Sequence, residues 1–343
     1  EAEDVALKAE QFANLSKLNY LRGSISFPRG DFKGCLNAHT KALNYAEKAD
    51  QPELTARALS GLGDAYYAQG RMFKAHGVFE KCLDLCGQHG LSAVESANRF
   101  MLGTVKIYMN ETERALEEAS RSAELAQKIG QLRPEIVSRL TAGWILQSMG
   151  QHGEARNEID RGMEAAGELG AKRFEPFLQE TTVRILLSQG ERREAARLAS
   201  KVLDQARELN AMNFIGPWVL ATTAMTREKP AERQALLDEG EKLLKKGCVG
   251  HNYFRFYVYA IFSCSEAADW KHVRHFCDAL DKYTRSEPTP WSEFYIRLGR
   301  TIADFSDGSS SARAHLEELV TEADRAKFLT TERRIRRLLV ENN

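Results

Sequence analysis

Apolar and small residues recur along this chain at spacings of three and four, with charged residues filling the positions between them. The clearest stretch runs Leu59, Leu62, Gly63 and Tyr66, then Ala75, Phe79 and Cys82 beyond a break at Gly70. Such spacing puts one apolar stripe on a helix, so the pattern predicts an all-helical protein. The breaks are as regular as the stripes. One series runs Gly30, Gly70, Asn110, Gly150, Gly190, Pro230 and Asp269-Trp270; a second runs Asp50, Gly90, Gly130, Gly170, Asn210, Gly250 and Pro290. Gly, Asn and Asp tolerate the left-handed conformation that closes a helix, and Pro follows a helix it cannot continue. Two interleaved series with a 40-residue period define a repeated helix–turn–helix unit,.

The predicted pairs are 5–28 with 32–48, 53–69 with 72–88, 93–109 with 112–129, and 133–149 with 152–169. They continue as 173–189 with 192–209, 212–227 with 231–246, 251–267 with 270–284, and 291–305 with 310–327, before a last helix over 330–341. The loops at 286–290 and 306–311 are too short to be flexible domain linkers,. The expected architecture is one right-handed α-solenoid of about eight repeats over 1–343, with clear units over 1–220 and degenerate ones over 221–343,. Gly63 stands inside a helix, where it costs about 1 kcal/mol against Ala, which points to a close helix crossing.

These residues resemble the tetratricopeptide repeat, whose signature here reads Leu59, Leu62-Gly63, Tyr66, Ala75 and Phe79, with Cys82 in place of the final Ala. Parts of it return in Gly23 and Ala42, Leu102-Gly103 and Ala115, Gly143 and Ala155, and Ala195. The usual unit has about 34 residues, so these are long repeats. A narrower resemblance rests on residues 58–71, Phe214-Ile-Gly-Pro-Trp218, residues 247–254 and Pro288-Thr-Pro-Trp291. These stretches look like the C-terminal repeats of bacterial signalling proteins that join a class III adenylate/guanylate cyclase to an ATPase module. The resemblance implies a regulatory arm.

Composition removes several function classes. Lys+Arg and Asp+Glu are equal at 48, and this zero net charge does not suit nucleic-acid binding,. No apolar run is long enough to span a bilayer. Six cysteines without CxxC spacing read as buried thiols of a cytoplasmic protein,. The chain opens at Glu1 in mid-pattern and reads as a piece of something longer. No P-loop, GxSxG, HExxH or kinase signature is present, so neither catalysis nor a cofactor is expected,. His272 and His275 can share a helix face, but Cys277 falls about 200° from His275 and the set does not converge as zinc ligands must,.

In tetratricopeptide arrays the first helix of each pair lines a concave face. Carried onto this sequence, that face includes Tyr20, Ser24, Phe27, Arg57, Ser60, Asp64, Tyr67, Phe100, Thr104, Val137, Leu140, Trp144, Gln147, Phe177, Glu180, Arg184, Leu220, Arg227 and Tyr257, with His251 and Arg255 at its edge. Tyr, Trp and Arg are the residue types of binding hot spots. The expected groove residues are therefore Tyr20, Tyr67, Phe100, Trp144, Phe177, Arg184, His251, Arg255 and Tyr257, gripping a peptide, a protein partner or a small effector. Two alternatives stay open: a tightly wound superhelix covers these rings itself, or the groove holds a second copy of the chain in a homodimer. Tyr20 and Ser24 stand where the family's carboxylate clamp would begin, so chaperone-tail binding is not expected. The basic cluster Arg325, Lys327, Arg333, Arg334, Arg336 and Arg337 reads as the polar side of a capping helix whose apolar side is Ile335, Leu338 and Leu339, in preference to a patch for a membrane, nucleic acid or an acidic partner domain,.

Overall fold

The computed structural model describes residues 2–341 and is built of helices joined by tight turns. They are α1 (Ala2–Lys8), α2 (Phe12–Ser26), α3 (Phe32–Lys48), α4 (Pro52–Ala68), α5 (Met72–His89), α6 (Ser92–Ile107), α7 (Thr112–Lys128), α8 (Leu132–Ser148) and α9 (His152–Glu168). A short 3-10 turn at Lys172–Phe174 precedes α10 (Glu175–Gln189), α11 (Arg192–Glu208), α12 (Met212–Ala224), α13 (Pro230–Lys246) and α14 (His251–Ser265). The chain ends in α15 (Trp270–Thr284), α16 (Pro290–Ser306), α17 (Ala312–Arg325) and α18 (Leu329–Glu341).

The turn chemistry acts as the sequence implies through residue 210. Asp50, Asn110 and Asn210 take the left-handed conformation, as do the glycines at the equivalent breaks,. Two expectations need correction. The helix expected over 5–28 is broken between α1 and α2, where Glu10 is left-handed at φ 52°. Gly250 does not close a helix: it is right-handed and starts α14, while Gly247 at φ 98° makes the reversal.

Each helix packs against the next, and α2, α4, α6, α8, α10, α12, α14 and α16 also touch one another across repeats. That asymmetry bends the array and puts the even-numbered helices on its inside. Crossings need small residues. A Cβ on Gly63 would run into the Phe79 ring, and one on Gly103 would lie 2.7 Å from the Ala115 carbonyl oxygen. The fold is an α-solenoid of tetratricopeptide-like helix pairs.

The superhelix then closes on itself. The Gly250 N–H donates to the Ala68 carbonyl at 2.9 Å, the Trp291 N–H to Tyr108 at 3.3 Å, and the Thr330 hydroxyl to Ser148 at 3.2 Å. These pairs are 182, 183 and 182 residues apart. Between them, the Phe73 N–H donates to Glu287 and the Thr112 hydroxyl to the Ala326 carbonyl, each across 214 residues. The turns ending α4, α6 and α8 thus meet the starts of α14, α16 and α18 in one register. The backbones come close enough that a Cβ on Gly250 would lie 2.6 Å from the Gly70 nitrogen. One apolar core runs through both halves, from Tyr67 to Leu339.

The last helix caps this core. Ile335 is fully buried, Arg333 lies against Gly150, and Arg334 covers the Phe262 ring at 4.3 Å while pairing with Glu266. All six cysteines are buried and free. His272 binds the Asp269 carboxylate that caps its own helix, at 2.7 Å, and His275 pairs with Glu241 at 3.1 Å. Among the described residues no helix is long and apolar enough to cross a membrane.

Candidate functional site: the concave face

The closure divides the concave face into a covered half and an open half. Along α4 the inward stripe is exposed at Arg57, half-buried at Ser60 and Asp64, and buried at Tyr67. The same gradient runs from Phe100 to Thr104 on α6, from Val137 and Leu140 to Trp144 on α8, and from Phe177 to Glu180 and Arg184 on α10. In α4, α6 and α8 the C-terminal ends meet the second half of the chain, through Tyr67 to His251, Tyr108 to Trp291 and Ser148 to Thr330.

The covered half holds a charged aromatic cluster around α14. The Arg255 guanidinium lies 3.7 Å from the centre of the Trp144 ring and 4.2 Å from that of Trp218. A desolvated cation between two indoles is worth about 2 kcal/mol or more. Burial works against the Arg255 charge, but Tyr259, Tyr108, Tyr67 and the Glu180 carboxylate outweigh it and hold the group ionised. Arg184 lies over the Tyr259 ring at 5.2 Å. Its Nε is 3.2 Å from Glu180, within ion-pair reach but out of line for a hydrogen bond. The Thr222 hydroxyl donates to the same carboxylate at 2.7 Å. Arg255 Nε, Arg184 Nη2 and Glu180 Oε2 are buried without hydrogen-bond partners.

His251 fastens the two halves. Its Nε2 is 2.8 Å from the Phe214 carbonyl oxygen, an acceptor only, so the proton sits on Nε2,. Nδ1 then accepts from the Tyr67 hydroxyl at 2.9 Å. Burial first, and then the Arg255 charge, push the imidazole down to about 3, so it is neutral at ordinary pH.

The structure therefore gathers five of the expected groove residues, Tyr67, Trp144, Arg184, His251 and Arg255, into one cluster that the chain itself covers. Tyr20, Phe100 and Phe177 stay half-buried on the open half. Tyr20 meets His39 edge-on at 5.5 Å, and Phe177 meets Trp218 at 6.0 Å. Tyr257 departs from the expected register: its ring packs on Phe276 of α15, and its neighbour Tyr259 faces the cluster instead. Sequence reasoning missed Tyr108, Trp218, Tyr259 and Trp291. The six rings within residues 253–262, which read mostly as core, were the available signal.

No family model matches the sequence, and no curated protein matches it. Solved structures do. A Rap protein complexed with competence and sporulation factor is 14% identical with a TM-score of 0.59, covering 86% of this chain and 76% of that one. The apo form of RapI is 14% identical with a TM-score of 0.52, covering 86% of this chain and 99% of that one. A signal-transduction ATPase with a tetratricopeptide-repeat sensor from Pyrococcus horikoshii aligns at 16% identity and a TM-score of 0.47, over 91% of this chain and 44% of that one. At these identities the likeness is one of fold.

Proposed function

We propose that this chain is a non-catalytic regulatory and scaffolding module whose concave face binds a peptide, a partner protein or a small effector. The observation that carries the reading is the open half of that face. Closure buries Tyr67 and Trp144, whereas Tyr20, Phe100 and Phe177, on the inner helices α2, α6 and α10, stay half-exposed. An apolar concave surface of this kind is where a solenoid takes its ligand. One solved neighbour of the same fold is named as a complex with competence and sporulation factor, which supports a ligand-binding role. The resemblance of residues 58–71 and 247–254 to cyclase-linked repeats supports a place in a larger signalling protein, with ligand occupancy passed to an attached ATPase or cyclase.

A thermal-shift screen of the whole chain against short peptides, nucleotides and amino-acid metabolites tests this. A ligand at 100 times its Kd adds about 2.7 kcal/mol of stability. The expected result is a shift that Phe100→Ala or Phe177→Ala abolishes. A shift that both substitutions leave intact places the ligand elsewhere and sinks the reading. Concentration-dependent mass lost in the same variants would assign the surface to self-association.

A further inference from the structure

The open half carries the half-buried rings of Tyr20, Phe100 and Phe177, and a carboxylate stands on the same face. Asp64 sits on α4 one turn before Tyr67, so it lies just outside the point where Tyr67 and His251 close the two halves. Protein surrounds it, yet part of its surface stays in water, as expected of the floor of a concavity. Among the described residues it has no hydrogen-bond and no ion-pair partner. The groups that feel its charge are the buried Cys35, Tyr67 and Cys82, none of them a cation. Arg133 of α8 is the nearest cation, but it is exposed and outside pairing distance. A partly buried carboxylate left single is costly unless a cation joins it.

We infer that the open half of the concave face recognises a peptide segment in which a positively charged group, a lysine or arginine side chain, lies between apolar residues, and that Asp64 is the specificity residue that pairs with the charge. This rests on the groove reading above. Phe100 and its half-buried neighbours supply apolar contact, and Asp64 supplies charge selection. The unusual titration of the group agrees: burial raises the Asp64 carboxyl to about 7, and a bound cation would return it to the ordinary range,.

Isothermal titration calorimetry on the whole chain tests this with the acetylated, amidated peptide Ala-Leu-Phe-Lys-Leu-Phe-Ala and with twins carrying Gln or Glu in place of Lys. A charge-assisted hydrogen bond predicts that the Lys peptide binds about tenfold or more tightly than the Gln twin, with the Glu twin weakest. Asp64→Asn should remove that preference while leaving the Gln twin unchanged, and Asp64→Lys should reverse it. Circular dichroism checks that both variants stay folded. Equal affinity for all three peptides, weakened throughout by Phe100→Ala, overturns the role of Asp64 and leaves the groove reading standing. Binding indifferent to both positions overturns the two together. No binding by any of the three up to millimolar concentration overturns the charge assignment.

Discussion

In the units that begin at α4, α6 and α8, the small residue of each crossing sits on the inner helix: Gly63 under Phe79, Gly103 over Ala115, and Gly143 under Ile159. Outer helices make room for the next inner helix in both halves, Gly162 of α9 for Leu178 and Gly240 of α13 for Phe256. What changes beyond residue 211 is burial: every residue from Phe254 to Cys264 of α14 is buried. A helix apolar all round is one enclosed on all sides. The early inner helices have neighbours beside and behind them, whereas α14 also has the concave wall of Tyr108, Trp144 and Trp218 in front. The repeat signature fades in the second half because those helices gained a face to fill. Their geometry as helix pairs is kept.

The largest test of this contrast is Trp291→Ala. Trp291 meets Tyr108 at 5.4 Å and Phe254 at 6.0 Å, so its loss should cost about 3–5 kcal/mol in urea unfolding and raise the radius of gyration,. Phe73→Ala, on an exposed ring, should cost far less. A cost below about 1 kcal/mol for Trp291→Ala would mean that the halves are not coupled. Next comes Gly63→Ala, which should lose about 1–3 kcal/mol by overpacking. Gly77→Ala on the same pair, where a Cβ meets nothing, should gain up to about 1 kcal/mol,. If both gain, the crossing is not tight.

Two titrating groups sharpen the comparison with smaller and opposite effects. The folded state holds His251 far below its unfolded value of 6.5, so its contribution is full above pH 6.5 and is lost as pH falls,. Relative to His251→Asn, the natural chain should lose about 1–2 kcal/mol between pH 7 and pH 5. Asp64 is raised from 3.8 to about 7, so it favours folding at low pH and costs stability as pH climbs through that window,. Asp64→Asn should therefore stabilise the chain by about 1 kcal/mol at pH 8, after solvent screening, and by almost nothing at pH 4. Unfolding curves that run parallel at every pH would remove either group from the account.

The helix pairs and most of their turns were legible in the sequence because they depend on local chemistry. A stripe at three and four, and an Asn at 110 or 210, act within one unit. Closure depends on contacts some 182 residues apart, and no local pattern encodes those. Gly70 and Gly250 fit the turn series, so their second reason for being glycine, the close approach of two backbones, was hidden by the first. The expected groove residues were drawn from one repeat register. That register put Trp144 and Arg184 on the inner face, where the chain's own second half covers them, but it failed at Tyr257, where α14 presents a different side inward.

The even spacing of the closing contacts has a consequence for how such a chain can change length. An open solenoid accepts a copied unit anywhere, since each repeat answers only to its neighbours. Here one added unit between Ser148 and Gly250 would carry Gly250 past Gly70, Trp291 past Tyr108 and Thr330 past Ser148 in a single step. The ring thus acts as a ruler: the intervening repeats can vary in sequence, but their number is counted by three hydrogen bonds at the join.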